Sequence, residues 1–506
     1  MIRPKLEFLS PDTVKRAIDE AYELLWDPGV RVHYDEGLRL LADAGASVDM
    51  QSRVARIPRE LAEKAVETAP GSFYLYDFFG EPKVHYGGDD IHYDPGSAAI
   101  EIADYGAKQS RVPTTVDCEN YVKVADGLPQ IDAVATSIVC GDVPQSMADW
   151  YRLYLLLLNA RKPIVTGTFA IESFAIMHEL LVAMAGSAEA LAARPRAVFD
   201  VCPSPPLLWS DITCANLIDA ARAGVPAELV SMPLTGATGP ATVIGSAVQH
   251  AAECLSGITI HQLAKAGSPI VWGGSPASFD MRTGTTPMGA MATMMLDCTY
   301  TQIGKAIKPG GLPTHAYLGM SDTKIVDTQT GLETASGAIL GALAGVNMMS
   351  GPGMMDFESC FSFEKLVIDS EIVGMAKRLV AGVDDTAEPL ALDVMREIGH
   401  AGNFLKSKHT RKYFRREDYI PTDVIDRDFR QTWFDKGALD ANARAHRRVQ
   451  ELMASWEPLG LDQAKVKELE AIAQRHARAN GLDKLPERSI KSVSYTHLTL
   501  ATIYTV

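Results

Sequence analysis

Side chains able to do chemistry gather where apolar runs of this chain give way to polar turns. Asp280, Met281 and Arg282 follow the run PIVWGGS, and SDTKIVDTQTGLE (321–333) brings Asp322, Asp327 and Glu333 together, with Glu364, Asp369 and Glu371 further on. An Asp280–Arg282 pair in such a turn either anchors a substrate carboxylate through the guanidinium fork or locks the loop. Asp327 and Glu333 share the start of a helical pattern, where the helix dipole alone would also favour negative charge. Asp280, Asp327 and Glu333 are the candidate catalytic carboxylates. Aromatic residues stand nearby: Tyr93, Trp272, Tyr317, Phe361 and Phe363. Aromatic faces attract a cation and tolerate methyl groups around it; for each single ring plain core packing is the stronger reading, with at least one expected to contact substrate. With Arg282 and Ser350 they form the candidate substrate-binding set.

These residues need a scaffold, and the hydrophobic rhythm supplies one. From Ile131 onward apolar runs recur, each followed by a helical segment: AVATSIVC, PIVTGTF, AVFDVC, AELVSM, PIVWGG, THAYLGM, GVNMMSG and a last, weakly bounded run at CFSFEKLVI. The spacing predicts helices over 149–160, 174–185, 211–223, 247–265, 290–307 and 329–344. Continuous apolar strands alternating with helices imply parallel strands covered on both faces. Eight such units in about 250 residues predict an α/β fold, a (β/α)8 TIM barrel. Residues 1–130 read as a cap of helices and short antiparallel strands, 131–387 as the barrel, and 388–486 as a wrapping segment followed by two helices. In the cap, Ser10 with Pro11 would start a helix and Asp35 would cap a second. The last stretch, 493–506, has no relation to the pattern before it and reads as a non-native tail.

In a barrel of this kind the chemistry lies at the C-terminal ends of the strands. Those positions carry Thr, Ser, Gly, aromatic and sulfur-bearing side chains and few fixed cations, which favours a neutral or cationic substrate over a phosphorylated one. A quaternary ammonium fits that mouth: it already carries its charge, so its amine can leave neutral, and the protein's task is mostly positioning.

Composition excludes several alternatives. The chain has 506 residues, a formal charge of −15 and 22% charged residues. Its basic residues are scattered, apart from one aromatic-interrupted patch at 406–416, so nucleic-acid binding is not expected. The seven Cys are dispersed with no C-x-x-C pair, and the 12 His are scattered. That argues against a disulfide framework or a zinc knuckle and suits a reducing, cytoplasmic setting, with no tightly bound metal expected. The uncharged run 336–355 is broken by Gly, Asn and Pro, as a buried helix and strand would be, not a membrane span. There is no H-E-x-x-H, P-loop or G-x-S-x-G, and the two S-x-x-K matches lack their companion motifs.

PLTGATGPATVIGSAVQHAAECLSGI (233–258), GSPIVWGGSPASFDMRTG (267–284), SDTKIVDTQTGLE (321–333), ALAGVN (342–347), SFEKLVIDSEI (362–372) and FLKSKHTRKYFRREDYIP (404–421) occur in an order and spacing that resembles the trimethylamine methyltransferase family. The resemblance runs from about Leu9 to about Leu482. It implies a barrel enzyme that moves a methyl group from a quaternary or tertiary amine, such as glycine betaine, to the Co(I) corrinoid (cobalamin) of a cognate partner protein docked over the mouth. It points to the non-pyrrolysine branch, and a homo-oligomer is expected. The segment around Ser350 departs from the betaine members, where a His is expected, which points to another betaine such as proline betaine or carnitine. A zinc-dependent methyltransferase on a similar barrel and a non-catalytic betaine-binding scaffold remain the alternatives.

Overall fold

Eight short parallel strands form the centre of the molecule: β1 (His92–Asp94), β2 (Val134–Ala135), β3 (Ile164–Gly167), β4 (Ala197–Val201), β5 (Ala227–Leu229), β6 (Ile270–Gly274), β7 (Thr314–Tyr317) and β8 (Met348–Ser350). The structure is a computed structural model that describes residues 2–400 and 402–489; the tail at 493–506 lies outside the described residues. The sheet order is β1-β8-β7-β6-β5-β4-β3-β2. The remaining gap is bridged where the Asp132 N–H donates to the Tyr93 carbonyl at 2.8 Å, and where Ala99 pairs with Ile138. A helix follows each strand: α1 (Thr115–Asp126), α2 (Ala148–Asn159), α3 (Ser173–Ala185), α4 (Asp211–Ala223), α5 (Val243–Ala264), α6 (Met291–Ala306), α7 (Thr328–Ala344) and α8 (Phe363–Val380). This is the (β/α)8 barrel that the alternation of apolar runs and helices requires.

Two elements differ from the sequence reading. The first barrel strand is His92–Asp94, which had been expected as an antiparallel strand of the cap; it pairs parallel with β8. Its three residues carry no apolar run because two of them are polar groups needed inside. The expected eighth strand, CFSFEKLVI, is mostly helix: Cys360–Phe361 form a two-residue strand in a small sheet with Met354–Met355 and Glu101–Ile102, and Ser362 then caps α8.

The Gly- and Ala-rich run at 336–355 becomes α7 and β8. Small residues let α7 approach the β7–β8 edge closely: a Cβ on Gly337 would fall 2.8 Å from the Gly319 nitrogen, and one on Gly341 2.5 Å from the Met349 sulfur. Inside α8, Lys365 pairs with Asp369 with both side chains fully buried; Lys365 also donates to Thr334, and Asp369 accepts the Gly353 N–H.

Residues before β1 close the barrel from below. Helix Pro11–Trp26 starts at Ser10, whose hydroxyl accepts the Thr13 N–H. The second helix, Asp35–Asp43, has Tyr34 at its cap position, so Asp35 falls in the first turn. The hairpin Phe73–Tyr76/Pro82–Tyr86 inserts Leu75, Val84 and Tyr86 against Ala133, Ala135, Val165, Val198, Val271 and Met348, an apolar plug across the barrel floor. After the barrel, helices Leu392–Ile398, Lys408–Glu417 and Arg430–Asp435 bury no residue, whereas Ala441–Ser455 and Gln463–Ala479 pack through Ala445, Val449, Leu469 and Ala473. Among the described residues no helix is long and apolar enough to cross a membrane.

Candidate active site

Alternation along each strand sends every second side chain into the barrel. Above the apolar plug the inward positions turn acidic and polar: Asp94 on β1, Asp200 on β4, Glu228 on β5, His315 and Tyr317 on β7, and Ser350 on β8. They form one connected network. Tyr86, from the plug, donates to Glu228 at 2.9 Å; the His315 ring lies 3.4 Å from Glu228 and 3.0 Å from Ser350; Ser350 donates to Asp94 at 2.6 Å. Across the lumen, the Tyr317 hydroxyl donates to Asp200 at 3.1 Å and meets the Ser97 hydroxyl at 2.9 Å. Asp94, Glu228, His315 and Ser350 are buried, while Asp200 and Ser97 above them keep part of their surface open to the mouth.

A further carboxylate comes from above. The turn between Met354–Met355 and Cys360–Phe361 holds three consecutive non-glycine residues in the left-handed region: Asp356 (φ 48°), Phe357 (φ 54°) and Glu358 (φ 70°). Such backbone is costly for L residues and is retained where the surroundings over-determine it. Here Lys324 pins the turn, ion-paired with Asp356 at 3.0 Å and 3.9 Å from the centre of the Phe357 ring. Glu358 is thereby directed at Ser97 and the lumen, with Oε1 3.4 Å from where a Cβ on Gly96 would lie.

Burial dominates the electrostatics. It pushes the Asp200 carboxyl up to about 6 and holds Asp94, Glu228 and Glu358 well above the usual carboxylate range, with Asp200 raising each of the three further. Burial also lowers the His315 imidazole to about 3, so it is neutral. Asp94 Oδ2, Asp200 Oδ1, Glu228 Oε1, Glu358 Oε1 and His315 Nδ1 have no hydrogen-bond partner among the described residues. Buried polar atoms are rarely left unpaired, and four of these belong to carboxyls close enough to interact, Asp200 with Asp94, Glu228 and Glu358. Among the described residues there is no group of three or more His, Cys, Asp or Glu placed to hold a metal ion.

A sequence profile for the trimethylamine methyltransferase (MTTB) family matches residues 2–480. The chain belongs to this family. It is 29% identical over 452 residues to the trimethylamine methyltransferase MttB of Desulfitobacterium hafniense (89% of this chain, 90% of that protein), and 30% identical over 476 residues to the glycine betaine methyltransferase of D. hafniense strain Y51 (93% and 98%). Among solved structures, the hydroxylamine complex of MtmB shares the fold, with a TM-score of 0.51 at 10% identity over 88% of this chain and 89% of that one. The chain is a methyltransferase.

Within this methyltransferase the sequence-predicted site residues fall into two groups. Tyr317 and Ser350 stand in the lumen network. The others do not. Tyr93 points outward from β1 and donates to the Ala338 carbonyl; Trp272 points outward from β6 and donates to the Tyr300 carbonyl. Phe361 is fully buried against Tyr121, with Phe363 at its edge. Asp280 and Arg282 bond to each other in a turn where the Arg282 side chain is 88% exposed, and that pairing lowers the Asp280 carboxyl to about 2. Asp327 caps α7, and Glu333 accepts from Ser321, the Asp322 N–H and Gln329, holding the β7–α7 loop. Sequence reasoning missed Asp94, Asp200, Glu228, His315 and Glu358. For the three strand acids the signal was there: each is a lone carboxylate inside HYD, AVFDV or AEL.

Proposed function

We propose that this methyltransferase moves a methyl group from a quaternary or tertiary methylated amine to the cobalt of a corrinoid carried by a separate protein. One observation carries the reading: above the apolar plug, buried acidic oxygens and an aromatic hydroxyl gather at the ends of the parallel strands, with Asp200 and Ser97 part-exposed above them. Acidic oxygens and the Tyr317 ring suit an onium group. Phe169, Met232, Met281, Met291 and Ile325, all 37% exposed or more, lie in the loops and first helical turns on the side where the strands end. Exposed apolar side chains on that side would suit a large planar group presented by a docking partner. Bound there, the corrinoid would supply the electron pair that accepts the methyl group.

The chain's own residues do the positioning. Asp200, Tyr317 and Ser97 would hold the ammonium at the top of the lumen, with one methyl directed outward. The plug beneath excludes water. A quaternary amine leaves neutral and asks for no proton; a tertiary amine would be held as its conjugate acid, which the surrounding carboxylates favour. The seven cysteines are all free, which fits a cytoplasmic setting.

The test mixes the protein with reduced corrinoid protein and a series of methylated amines while following the cobalt absorbance. Methylated corrinoid and demethylated amine should appear in equal amounts. Tight amine binding with no methyl transfer would favour a binding scaffold, and activity that requires stoichiometric zinc would favour a zinc-dependent methyltransferase.

A further inference from the structure

Methyl transfer leaves open what the amine carries besides its methyl groups, and the lumen constrains that too. Its titratable lining is acidic: burial keeps Asp94, Glu228 and Glu358 protonated when no cation is bound, and Asp200 is the member ionised at neutral pH. Asp94, Asp200, Glu228 and Glu358 converge from β1, β4, β5 and the turn above; Asp94 and Glu358 each keep an oxygen with no hydrogen-bond partner among the described residues, and the carboxyls of Asp200 and Glu228 lie against each other. Among the described residues no Lys or Arg nitrogen lies within ion-pair distance of any of the four, and the only ring nitrogen nearby belongs to neutral, buried His315. Arg152, whose field reaches Asp200, is engaged elsewhere: Nε donates to the Ala148 carbonyl, Nη1 to the Thr136 carbonyl, and the guanidinium lies 4.7 Å over the Phe169 ring. Arg282 is tied to Asp280 on the surface. The hydroxyls of Ser97 and Tyr317 already serve each other and Asp200. The carboxylate of a betaine would therefore meet ionised Asp200 with no described Lys or Arg within ion-pair distance of the four acids, and a buried charge without a partner is strongly disfavoured, whereas an onium would draw the neighbouring acids toward their ionised forms.

We propose that the preferred substrate is a methylated onium whose remaining arm is uncharged and carries a hydrogen-bond donor, an amino-alcohol type such as choline, rather than a zwitterionic betaine. The onium lies between Tyr317, Asp200 and Glu358, and the donor reaches down to the unpartnered oxygen of Asp94. Glu358 is then a specificity-determining residue, because its carboxyl comes from the turn above the strands and an onium beside it would favour its ionised form. The inference rests on the methyl-transfer reading for its chemistry, but its binding preference can be read without it.

Calorimetric titration of the protein alone compares choline, tetramethylammonium and glycine betaine. Choline should bind at least tenfold more tightly than glycine betaine, with tetramethylammonium between them. Glu358→Gln, checked for an unchanged melting profile, should narrow the choline-to-betaine ratio, whereas a purely structural role would leave the ratio unmoved. Glycine betaine binding as tightly as choline or more tightly would overturn the proposal, as would a ratio insensitive to Glu358→Gln. If choline binds preferentially but no amine methylates the corrinoid protein, the transfer reading fails and the preference stands; if betaine binds and is demethylated, the reverse holds.

Discussion

Removing one oxygen from Tyr317 tests the lumen assignment most directly. In Tyr317→Phe the ring stays, so its attraction for a cation is kept. What goes is the hydroxyl that donates to Asp200 at 3.1 Å and meets Ser97 at 2.9 Å. A hydrogen bond to a charged or potentially charged group contributes about 1.5–3 kcal/mol, and a tenfold change in rate corresponds to about 1.4 kcal/mol. If Asp200 must be held in place for the onium to present its methyl outward, kcat/KM for corrinoid methylation should fall roughly 10- to 150-fold, mainly through kcat. Tyr317→Leu, which also loses the ring face, should add a rise in KM, since a desolvated cation–π contact is worth about 2 kcal/mol. Initial rates of amine-dependent cobalt methylation, with melting curves to confirm folding, give both numbers. Wild-type kcat/KM in Tyr317→Phe would show that the Asp200–Tyr317–Ser97 arrangement plays no part in catalysis.

Other outcomes follow from the same geometry. Because burial raises the folded-state carboxyl of Asp200 from 3.8 to about 6, its ionisation costs nothing below the lower value and the full amount above the upper one, up to about 3 kcal/mol. Stability should therefore drop as pH rises through that window, and Asp200→Asn should melt higher than wild type at neutral pH while methyl transfer collapses. Lys365→Met strands Asp369 in a fully buried site and should cost about 3–5 kcal/mol in chemical denaturation, with most of the loss recovered in Lys365→Met/Asp369→Leu. Asp327→Ala removes the α7 capping box and should cost about 1 kcal/mol of stability with kcat unchanged; a collapse of kcat would restore Asp327 to the catalytic set.

Most of the scaffold could be read from the chain, and most of the lumen could not, for one reason. Helices such as Asp211–Ala223 and the apolar strands announce themselves by period and by caps. The strand β1 does not: HYD is short and polar, because its middle residue packs outward while its last supplies a lumen acid. The α1 helix behind it has a faint amphipathic pattern, though Thr114 with Asp117 spells its capping box. Polar residues at strand ends drew attention to Asp280 and Arg282, whose chemistry is satisfied locally. The acids that face the lumen sit inside the strands, where Asp200 and Glu228 lie opposite each other in register. Strand pairing brings those two together, and only the closure of the sheet brings Asp94 to them. Glu358 depends on a left-handed turn of three ordinary residues, which no local preference signals.

The plug formed by Leu75, Val84 and Tyr86 has a kinetic consequence. With the rear blocked by this plug, fuel and spent amine would share the end where the strands terminate, the one a docked carrier would cover. On the proposed carrier reading, loading would precede docking and departure would await undocking, so turnover would follow a compulsory order in which excess carrier slows the cycle by trapping unloaded enzyme.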